Sequence, residues 1–533
     1  MKRQCRPVLQ NVLTYQRRLF LWAAITAGAP LLSGTARGTL IVSNDLVVSA
    51  NLAAQSIRLG GATQTSWNFA PLQGYKYVMV AEGTSDVDRG NNLQTAYATA
   101  ASLNPTATSR VAVMIPPGDY SLAATNLVMD TAYVDLLGLV PAQMTARQVF
   151  VASDGSKHTR TIASVQCAVR IYSSAPSGTI IQNIDNVRIE SVMLSNSSSG
   201  MAYYPAVGGT NTALRHVSMN SMRVSVTYAG QYVDCLSSNS LLNAFGGSGA
   251  ASGTFVDCVG GAYSFGANNG TAGGTFIDCS GGDYSFGGYG GTANGSFTDC
   301  VGGDKSFGSG KGGEDNSGVA SGTFMNCVGG DYSFGGNDGT ASGTFLNCVG
   351  GINSFGGTDS EANSAGTASG TFTSCVGGDY SFASMGTASG TFRSCTGGMG
   401  SFGGWGAAAS GKFTDCTGGW AGFGSMTTAN GAFTRCSGYG SFGSWGLASG
   451  TFIDCTDSAY GFGVWGQLAT TAKLQHCRAG NTSFGSFAMA SDDFNYNVGG
   501  SNTFLMLPNL PTSASGLPSG SVYNSGGTLK IVP

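Results

Sequence analysis

Residues 321–341 read SGTFMNCVGGDYSFGGNDGTA, and close variants of these 21 residues follow one another from residue 231 to residue 490. Cysteine marks the repeat, because twelve of the fourteen cysteines form one series with steps of 19 to 27 residues. The series consists of Cys235, Cys258, Cys279, Cys300, Cys327, Cys348, Cys375, Cys395, Cys416, Cys436, Cys455 and Cys477. A unit this short, rich in Phe, Thr, Val and Gly, favours strands and turns over a helical hairpin. We therefore expect a solenoid whose coils stack at the strand spacing of about 4.8 Å.

Two aromatic columns keep the same period as the cysteines. The first stands three residues before each cysteine and comprises Tyr232, Phe255, Phe276, Phe297, Phe324, Phe345, Phe372, Phe392, Phe413, Phe433, Phe452 and Leu474. The second follows the cysteine by about seven residues and comprises Phe265, Phe286, Phe307, Phe334, Phe355, Phe382, Phe402, Phe423, Phe442, Phe462 and Phe484. Columns this apolar predict a continuous core along the solenoid.

The position before the cysteine predicts a corner in each coil. Phe324 and Cys327 are three residues apart, so they would face opposite sides of a straight strand. Both columns are too apolar for either to face water, and a bend between them removes the conflict. Most copies carry Asp or Asn there, as at Asn326, and these residues tolerate the left-handed conformation that such a corner needs. We expect Phe to end one strand and Cys to begin the next, with both side chains inside.

The F-x-[DN]-C corner resembles the coils of the pectate-lyase-like right-handed parallel β-helix superfamily. Residues 83–120 resemble the start of its members, with a capping helix around residues 92–97 and a first strand, 111–115, that leads into Pro116-Pro117-Gly118-Asp119-Tyr120. The resemblance covers roughly residues 80–490. It implies an all-β right-handed parallel β-helix, a solenoid of ~21-residue coils with an N-terminal capping helix. Segments near both termini also resemble phage tail and bacterial surface fibre proteins.

Composition and the N-terminus bear on location and partners. Charged residues make up only 10% of the chain and the net charge is −3, so no basic stripe indicates nucleic acid as a partner. Arg17 and Arg18 precede an apolar run, residues 19–32, and small residues follow at 33–36, which is the order of a secretory signal. That run is too short for a comfortable transmembrane helix, and no run of eighteen apolar residues occurs elsewhere. We expect an extracellular or cell-surface protein.

The same patterns divide the chain into five parts. Residues 1–36 are a predicted signal peptide, 37–80 a short β-rich linker, and 81–230 the start of the β-helix with its capping helix and irregular coils. Residues 231–490 form the regular repeats, and residues 491–533 a C-terminal tail or cap.

Several columns are candidates for chemistry. The cysteine ladder favours a stack of buried thiols, with disulfides between some neighbours as the alternative, because parallel Cβ vectors suit the disulfide dihedral poorly. Asp257, Asp278 and Asp299 stand on consecutive coils and are read as turn formers, as is a second column at Asp283, Asp304, Asp331 and Asp379. Calcium is the possible cofactor if stacked carboxylates such as Asp257, Asp278 and Asp299 bind a cation.

Two six-residue insertions and an aromatic column interrupt the regularity. The insertions carry Glu314, Asp315, Asp359 and Glu361, the candidate catalytic carboxylates of a glycosidase-like pair. Three residues after the second Phe stand Tyr289, Trp405, Trp445 and Trp465, with Trp420 nearby. If exposed, Trp405, Trp445 and Trp465 would form a flat stripe for sugar binding, and if turned inward they would only fill a corner.

Two functions remain open. The first is a secreted structural or adhesive β-helix protein that binds polysaccharide or cell-surface glycans, or copies of itself. The alternative is a tail-spike-like polysaccharide lyase or glycoside hydrolase. The grouped aspartates with His and basic residues that enzymes of the superfamily use are not evident, since His occurs only at 158, 216 and 476.

Overall fold

The computed structural model describes residues 75–532 except 152–156, 199, 206–208, 221–226, 238–243, 247–248, 311–317, 337, 359–365, 407, 470, 481–485, 488–493, 496–511, 520 and 526–527. It confirms an all-β parallel solenoid with one helix near the N-terminus, the fold that the superfamily resemblance implies. The predicted signal peptide and nearly all of the linker lie outside the described residues. Within the described residues, no helix is long and apolar enough to cross a membrane.

The first wall of the solenoid is an 18-stranded parallel sheet that holds the first Phe column, and we call it the Phe sheet. Neighbouring strands pair in register, so that Phe324 lies beside Phe345. Its strands are Lys76–Met79, Val111–Ile115, Val134–Gly138, Arg188–Glu190, Ala213–Arg215, Gln231–Val233, Thr254–Val256, Thr275–Ile277, Ser296–Thr298, Thr323–Met325, Thr344–Leu346, Thr371–Thr373, Thr391–Arg393, Lys412–Thr414, Ala432–Thr434, Thr451–Ile453, Lys473–Gln475 and Phe494–Asn495.

The second wall begins just after each cysteine. Early coils form a five-stranded sheet from Gly118–Ser121, Val169–Ser173, Met193–Asn196, Ser218–Met219 and Leu236–Ser237. Single parallel bridges continue it through the regular coils, for example Val328 to Val349. The strands Thr417–Trp420, Ser437–Tyr439 and Thr456–Asp457 complete it in the last coils.

The third wall of the regular coils is a 12-stranded parallel sheet of two-residue strands, which we call the Ala sheet. Its strands are Ala250–Ala251, Thr271–Ala272, Thr292–Ala293, Val319–Ala320, Thr340–Ala341, Thr367–Ala368, Thr387–Ala388, Ala408–Ala409, Thr428–Ala429, Leu447–Ala448, Gln467–Leu468 and Ser486–Phe487. Early coils have a separate three-stranded sheet, Leu127–Met129, Ile180–Gln182 and Tyr203–Pro205. Two antiparallel hairpins stand apart, Gln143–Val151 with Lys157–Gln166 and Val522–Ser525 with Thr528–Ile531.

The helix Asp86–Ser102 packs on the first coil. Ser85 caps its N-terminus by accepting a hydrogen bond from the Asp88 amide. Leu93, Tyr97 and other residues of its buried face belong to the same core cluster as the first strands. Gly90 permits this approach, because a Cβ there would come within 1.9 Å of the Ser121 carbonyl oxygen.

The corner predicted before each cysteine is present along the regular coils. Asp257, Asp278, Asp299 and Asn326 have φ between 51° and 54°, in the left-handed region. Phe324 and Cys327 on either side of this corner are both fully buried. The bend therefore does what the spacing of the two columns requires: it turns both side chains into the core.

Two ladders of phenylalanine rings fill that core. Along each ladder, rings of neighbouring coils stack in parallel, as at 4.8 Å between Phe324 and Phe345 and 4.9 Å between Phe334 and Phe355. The second ladder has a backbone feature that the sequence pattern did not reveal, since Phe334 itself has a left-handed φ of 53°. Left-handed conformation is uncommon for a bulky residue, so ring packing must offset its cost at Phe334 and at the other left-handed members of this ladder.

Candidate functional site

The last regular coils carry two neighbouring sets of aromatic side chains, which we together call the aromatic band. It comprises Tyr380, Trp405, Trp420, Trp445, Tyr460 and Trp465. Trp445 and Trp465 are its exposed members, at 43% and 59% of their surface. Contiguous exposed apolar side chains, unlike single ones, commonly mark an interaction site.

Trp445 and Trp465 form a stack, with ring centroids 5.5 Å apart and an angle of 16° between the planes. The ring of Tyr460 meets both edge-on, at 6.3 Å from Trp445 and 6.2 Å from Trp465. A column of rings stacked at the coil spacing covers much of each ring face. Among the described residues, the stack therefore offers chiefly the outer face of Trp465 and the edges of both indoles, and not the single flat stripe considered from sequence.

Trp405 lies apart from this stack. In several other coils a column of tyrosines stands five residues after the cysteine, and Trp405 fills a gap in this column. That column has Gly400 in place of tyrosine, and a Cβ on Gly400 would come within 2.0 Å of the Trp405 ring. Trp405 also meets Trp420 at 5.5 Å and Tyr380 at 6.1 Å. Its buried Nε1 has no hydrogen-bond partner among the described residues. As placed, Trp405 fills the corner and braces the band.

A glycine also links the two parts of the band. A Cβ on Gly440 would come within 3.2 Å of the Tyr460 ring and 3.7 Å of the Trp420 Nε1. Both rings therefore lie beside Gly440, which stands between Tyr380, Trp405 and Trp420 on one side and Trp445, Tyr460 and Trp465 on the other.

Tyr289, the fourth aromatic candidate, belongs to a different cluster. It packs edge-on against Tyr263 at 5.7 Å and Tyr284 at 5.3 Å. Nearby, the Lys305 ammonium lies over the rings of Tyr284, at 5.7 Å, and Tyr332, at 5.3 Å. Lys305 thus continues the tyrosine column as a cation between two rings.

A buried carboxylate, Asp457, lies next to the aromatic band and was not found from sequence. It is 1% exposed and accepts hydrogen bonds from the amides of Gly440 at 3.0 Å, Ser441 at 2.7 Å and Ala459 at 3.1 Å. Burial raises the pKa of Asp457 to about 6, against the partial opposition of these amides. The available sequence signal was a double departure from the repeat, with Asp457 at a glycine position and Gly461 at a serine position.

The cysteine ladder lies inside the core as thiols, and no disulfide joins its members in the part of the chain that the structure describes. Each thiol donates to backbone carbonyls at the corner, as Cys348 does to Phe324 at 3.4 Å and Leu346 at 3.5 Å. Burial raises the pKa of Cys348 well above its ordinary value. The ladder thiols therefore satisfy backbone acceptors, and their burial keeps reagents in solution away from them.

The aspartate columns serve the backbone. Asp299 accepts from the Asn326 side chain at 3.0 Å, which continues the corner column as a hydrogen-bonded ladder. In the second column each carboxylate accepts from an amide of the next coil, as Asp304 does from Asp331 at 2.9 Å. No group of three or more His, Cys, Asp or Glu within the described residues is arranged to hold a metal. The hydrogen bonds agree with the turn-forming role, and calcium at Asp257, Asp278 and Asp299 stays a prediction.

The candidate catalytic residues Glu314, Asp315, Asp359 and Glu361 lie outside the described residues. Of the residues that flank the insertions, Thr358 donates a hydrogen bond to Asp338, and both side chains are buried.

No family model matches the chain, and no curated protein matches its sequence. Among solved structures, the chain is similar to the tailspike protein of Acinetobacter baumannii bacteriophage Fri1, a capsular polysaccharide depolymerase. The identity is 10% and the TM-score 0.19, over 88% of this chain and 70% of that chain. It is also similar to the A-module of the mannuronan C-5 epimerase of Azotobacter vinelandii, at 10% identity and a TM-score of 0.20, over 79% of this chain and 97% of that chain. Likeness at this level assigns no activity, so function is inferred from the chain's own residues.

Proposed function

We propose that the chain is a secreted β-helix scaffold that binds glycans through the exposed end of its aromatic band. The observation that carries this proposal is the Trp445–Trp465 stack, which stands exposed on a rod whose other large rings are mostly buried in two ladders. An indole face buries a large apolar area at little entropic cost, and its N–H adds a polar contact at the edge.

The chemistry around the stack suits a sugar ring. A pyranose has an apolar C–H face and a rim of hydroxyl groups, so it pairs with a ring face that has polar groups at its edge. The outer face of Trp465 offers the ring face, and the indole N–H groups with the Tyr460 hydroxyl offer the polar groups. The low charge of the chain, 10% of its residues, also favours a ligand bound by stacking and hydrogen bonds.

The scaffold part of the proposal rests on regularity. Regular coils repeat the same buried columns of Phe, Cys and Ala, and polar residues such as Asp304 and Ser333 bond to the backbone. Such a rod is suited to displaying a binding surface. Polysaccharide cleavage by the insertions is the alternative, and the same experiment tests it.

The experiment is affinity electrophoresis of the purified chain in gels that contain alginate, dextran or hydroxyethylcellulose. We expect retardation in at least one gel, and we expect Trp465→Ala to weaken it by about tenfold, or about 1.4 kcal/mol. Tyr289→Ala is the matched control, because it stands in the same repeat column but in another cluster, and it should bind like the parent. Equal binding by Trp465→Ala and the parent would overturn the proposal.

Reducing ends are measured in the same mixtures. If polysaccharide is cleaved, and changing Glu314, Asp315, Asp359 and Glu361 together stops the cleavage, the enzyme alternative replaces the scaffold.

A further inference from the structure

Asp457 breaks the repeat at a position where a side chain is otherwise excluded. In regular coils this position, two residues after the cysteine, is glycine, and it faces the serine that precedes the second Phe. A Cβ on Gly329 would lie 2.5 Å from the Ser333 Cβ, and one on Gly350 would lie 2.6 Å from the Ser354 Cβ. In these coils the serine therefore occupies the room that a side chain at the glycine position would need.

The coil of Asp457 makes this exchange. Its serine position is Gly461, so the room that a serine fills elsewhere is open to the carboxylate. Two departures from the repeat thus meet in one coil, and Gly461 leaves room for the Asp457 side chain. The pair places a carboxylate where regular coils have a serine hydroxyl that donates to a nearby carbonyl, as Ser333 does to Gly330 at 2.7 Å.

The carboxylate has a defined task in the backbone. In regular coils the residue five positions after the cysteine, often a tyrosine, donates its amide to a carbonyl of the next coil. Tyr332 does so to Ile352 and Tyr380 to Met399, both at 2.7 Å. The preceding coil is shorter, with six residues from Cys436 to Phe442 where other coils have seven. There the amide of Gly440 donates to the Asp457 side chain instead.

The same carboxylate reaches the aromatic band. It accepts from the Ala459 amide, and the amide of the next residue, Tyr460, also stabilises its charge. The Tyr460 ring in turn meets Trp445 and Trp465 edge-on. One buried side chain thus ties the shortened turn to the ring that braces the exposed stack.

We propose that Asp457 is a positioning residue for the glycan-binding stack, holding Tyr460 so that Trp445 and Trp465 keep their arrangement, and that Gly461 is its necessary partner. This inference rests on the proposed function. It adds that binding depends on a carboxylate that does not touch the ligand.

The test uses the full chain and the double variant Asp457→Gly/Gly461→Ser, which restores the residue types of a regular coil. Selective labelling of tyrosine gives the Tyr460 ring signal, assigned by its loss in Tyr460→Phe, and this signal is shifted by the ring currents of two indoles. We expect the double variant to keep the fold, to lose most of that shift, and to bind the retained polysaccharide about tenfold less tightly, or about 1.4 kcal/mol.

Further variants separate the outcomes. Gly461→Ser alone should unfold the last coils, because it returns the serine while the carboxylate stays. Asp457→Asn keeps an acceptor oxygen and should bind between the parent and the double variant, which provides the comparison if the double variant fails to fold. If Trp465→Ala weakens binding but the double variant keeps both the Tyr460 shift and the affinity, the inference is wrong and the proposed function stands. If the parent is retained by none of the three polysaccharides, the proposed function is wrong, and an unchanged Tyr460 shift in the double variant would also remove the positioning role.

Discussion

The ring of Phe324 meets the ring of Phe334 edge to face, with centroids 5.6 Å apart and planes at 88°. Phe324 lies in the Phe sheet and Phe334 in the loop beyond the second wall, so this contact joins two sides of one coil. Since each ring also stacks on its counterparts above and below, every coil is tied both across the core and along it.

Removing either ring should leave a cavity at the centre of the rod. We expect Phe324→Ala and Phe334→Ala each to lower stability by about 3–5 kcal/mol, the range for large aromatic truncations. Because coils contact mainly their neighbours, the loss should be greatest nearby. Hydrogen exchange resolved along the chain checks this, with Thr323→Ala on the outer face as the control. A uniform rise in exchange along the whole rod would contradict it.

The corner residue can be tested by a pair of substitutions at Ser394, which is exposed and has a φ of 52°. Ser394→Val should destabilise the coil by about 1–2 kcal/mol, because a side chain strains the left-handed conformation and branching adds to the strain. Ser394→Gly should be neutral or stabilising. Urea unfolding of the two variants and the parent measures the difference, and equal midpoints would show that the corner is not strained.

The ladder thiols should be chemically silent in the folded protein. Cys258, Cys300 and Cys348 are fully buried, and burial raises the pKa of each, so little thiolate is present near neutral pH. A water-soluble disulfide reagent should label them only after unfolding. Cys167 is partly exposed with a pKa of about 11, and should react slowly in the native state. Rapid labelling of many thiols in native buffer would contradict the packed core.

Stability of the last coils should depend on pH through Asp457. Its pKa rises from 3.8 to about 6 in the folded chain, so the folded state favours the protonated acid. The resulting stability is fully present below pH 3.8 and is lost as pH rises through about 6. The difference between the two values corresponds to about 3 kcal/mol. Unfolding of the C-terminal coils, followed by tryptophan fluorescence between these pH values, should show this trend, and Asp457→Asn should flatten it.

Substitution of Trp405 should leave glycan binding unchanged, in contrast to substitution of Trp465. Its buried Nε1 lacks a partner among the described residues, which costs about 1–3 kcal/mol for a buried donor. Trp405→Phe removes that donor and keeps an aromatic ring, so we expect thermal stability to hold or rise while glycan retardation is unchanged. A clear loss of retardation would show that the binding surface includes Trp405.

The corner at Asn326 could be predicted from sequence, because two columns three residues apart can both face inward only if the chain bends between them. The left-handed backbone at Phe334 could not, since propensity argues against it and only packing against Phe324 and its neighbours favours it. The exposure of Trp445 and Trp465 was left open, because spacing does not tell an outward ring from one that fills a corner. Asp457 was missed because its role depends on a glycine four residues later and on a turn in the preceding coil.

The repeated columns of Phe, Cys and Ala also determine how the length of the rod can change. Every regular coil presents the same Phe, Cys and Ala positions to the coil before it and the coil after it. Duplication or deletion of one whole 21-residue unit would join two coil surfaces that already fit each other. Insertion or deletion of a few residues within a strand of the Phe sheet would instead shift the register between neighbouring coils. The distance between the N-terminal helix and the aromatic band is thus free to vary in steps of one strand spacing, so the reach of the rod can change while its binding end stays the same.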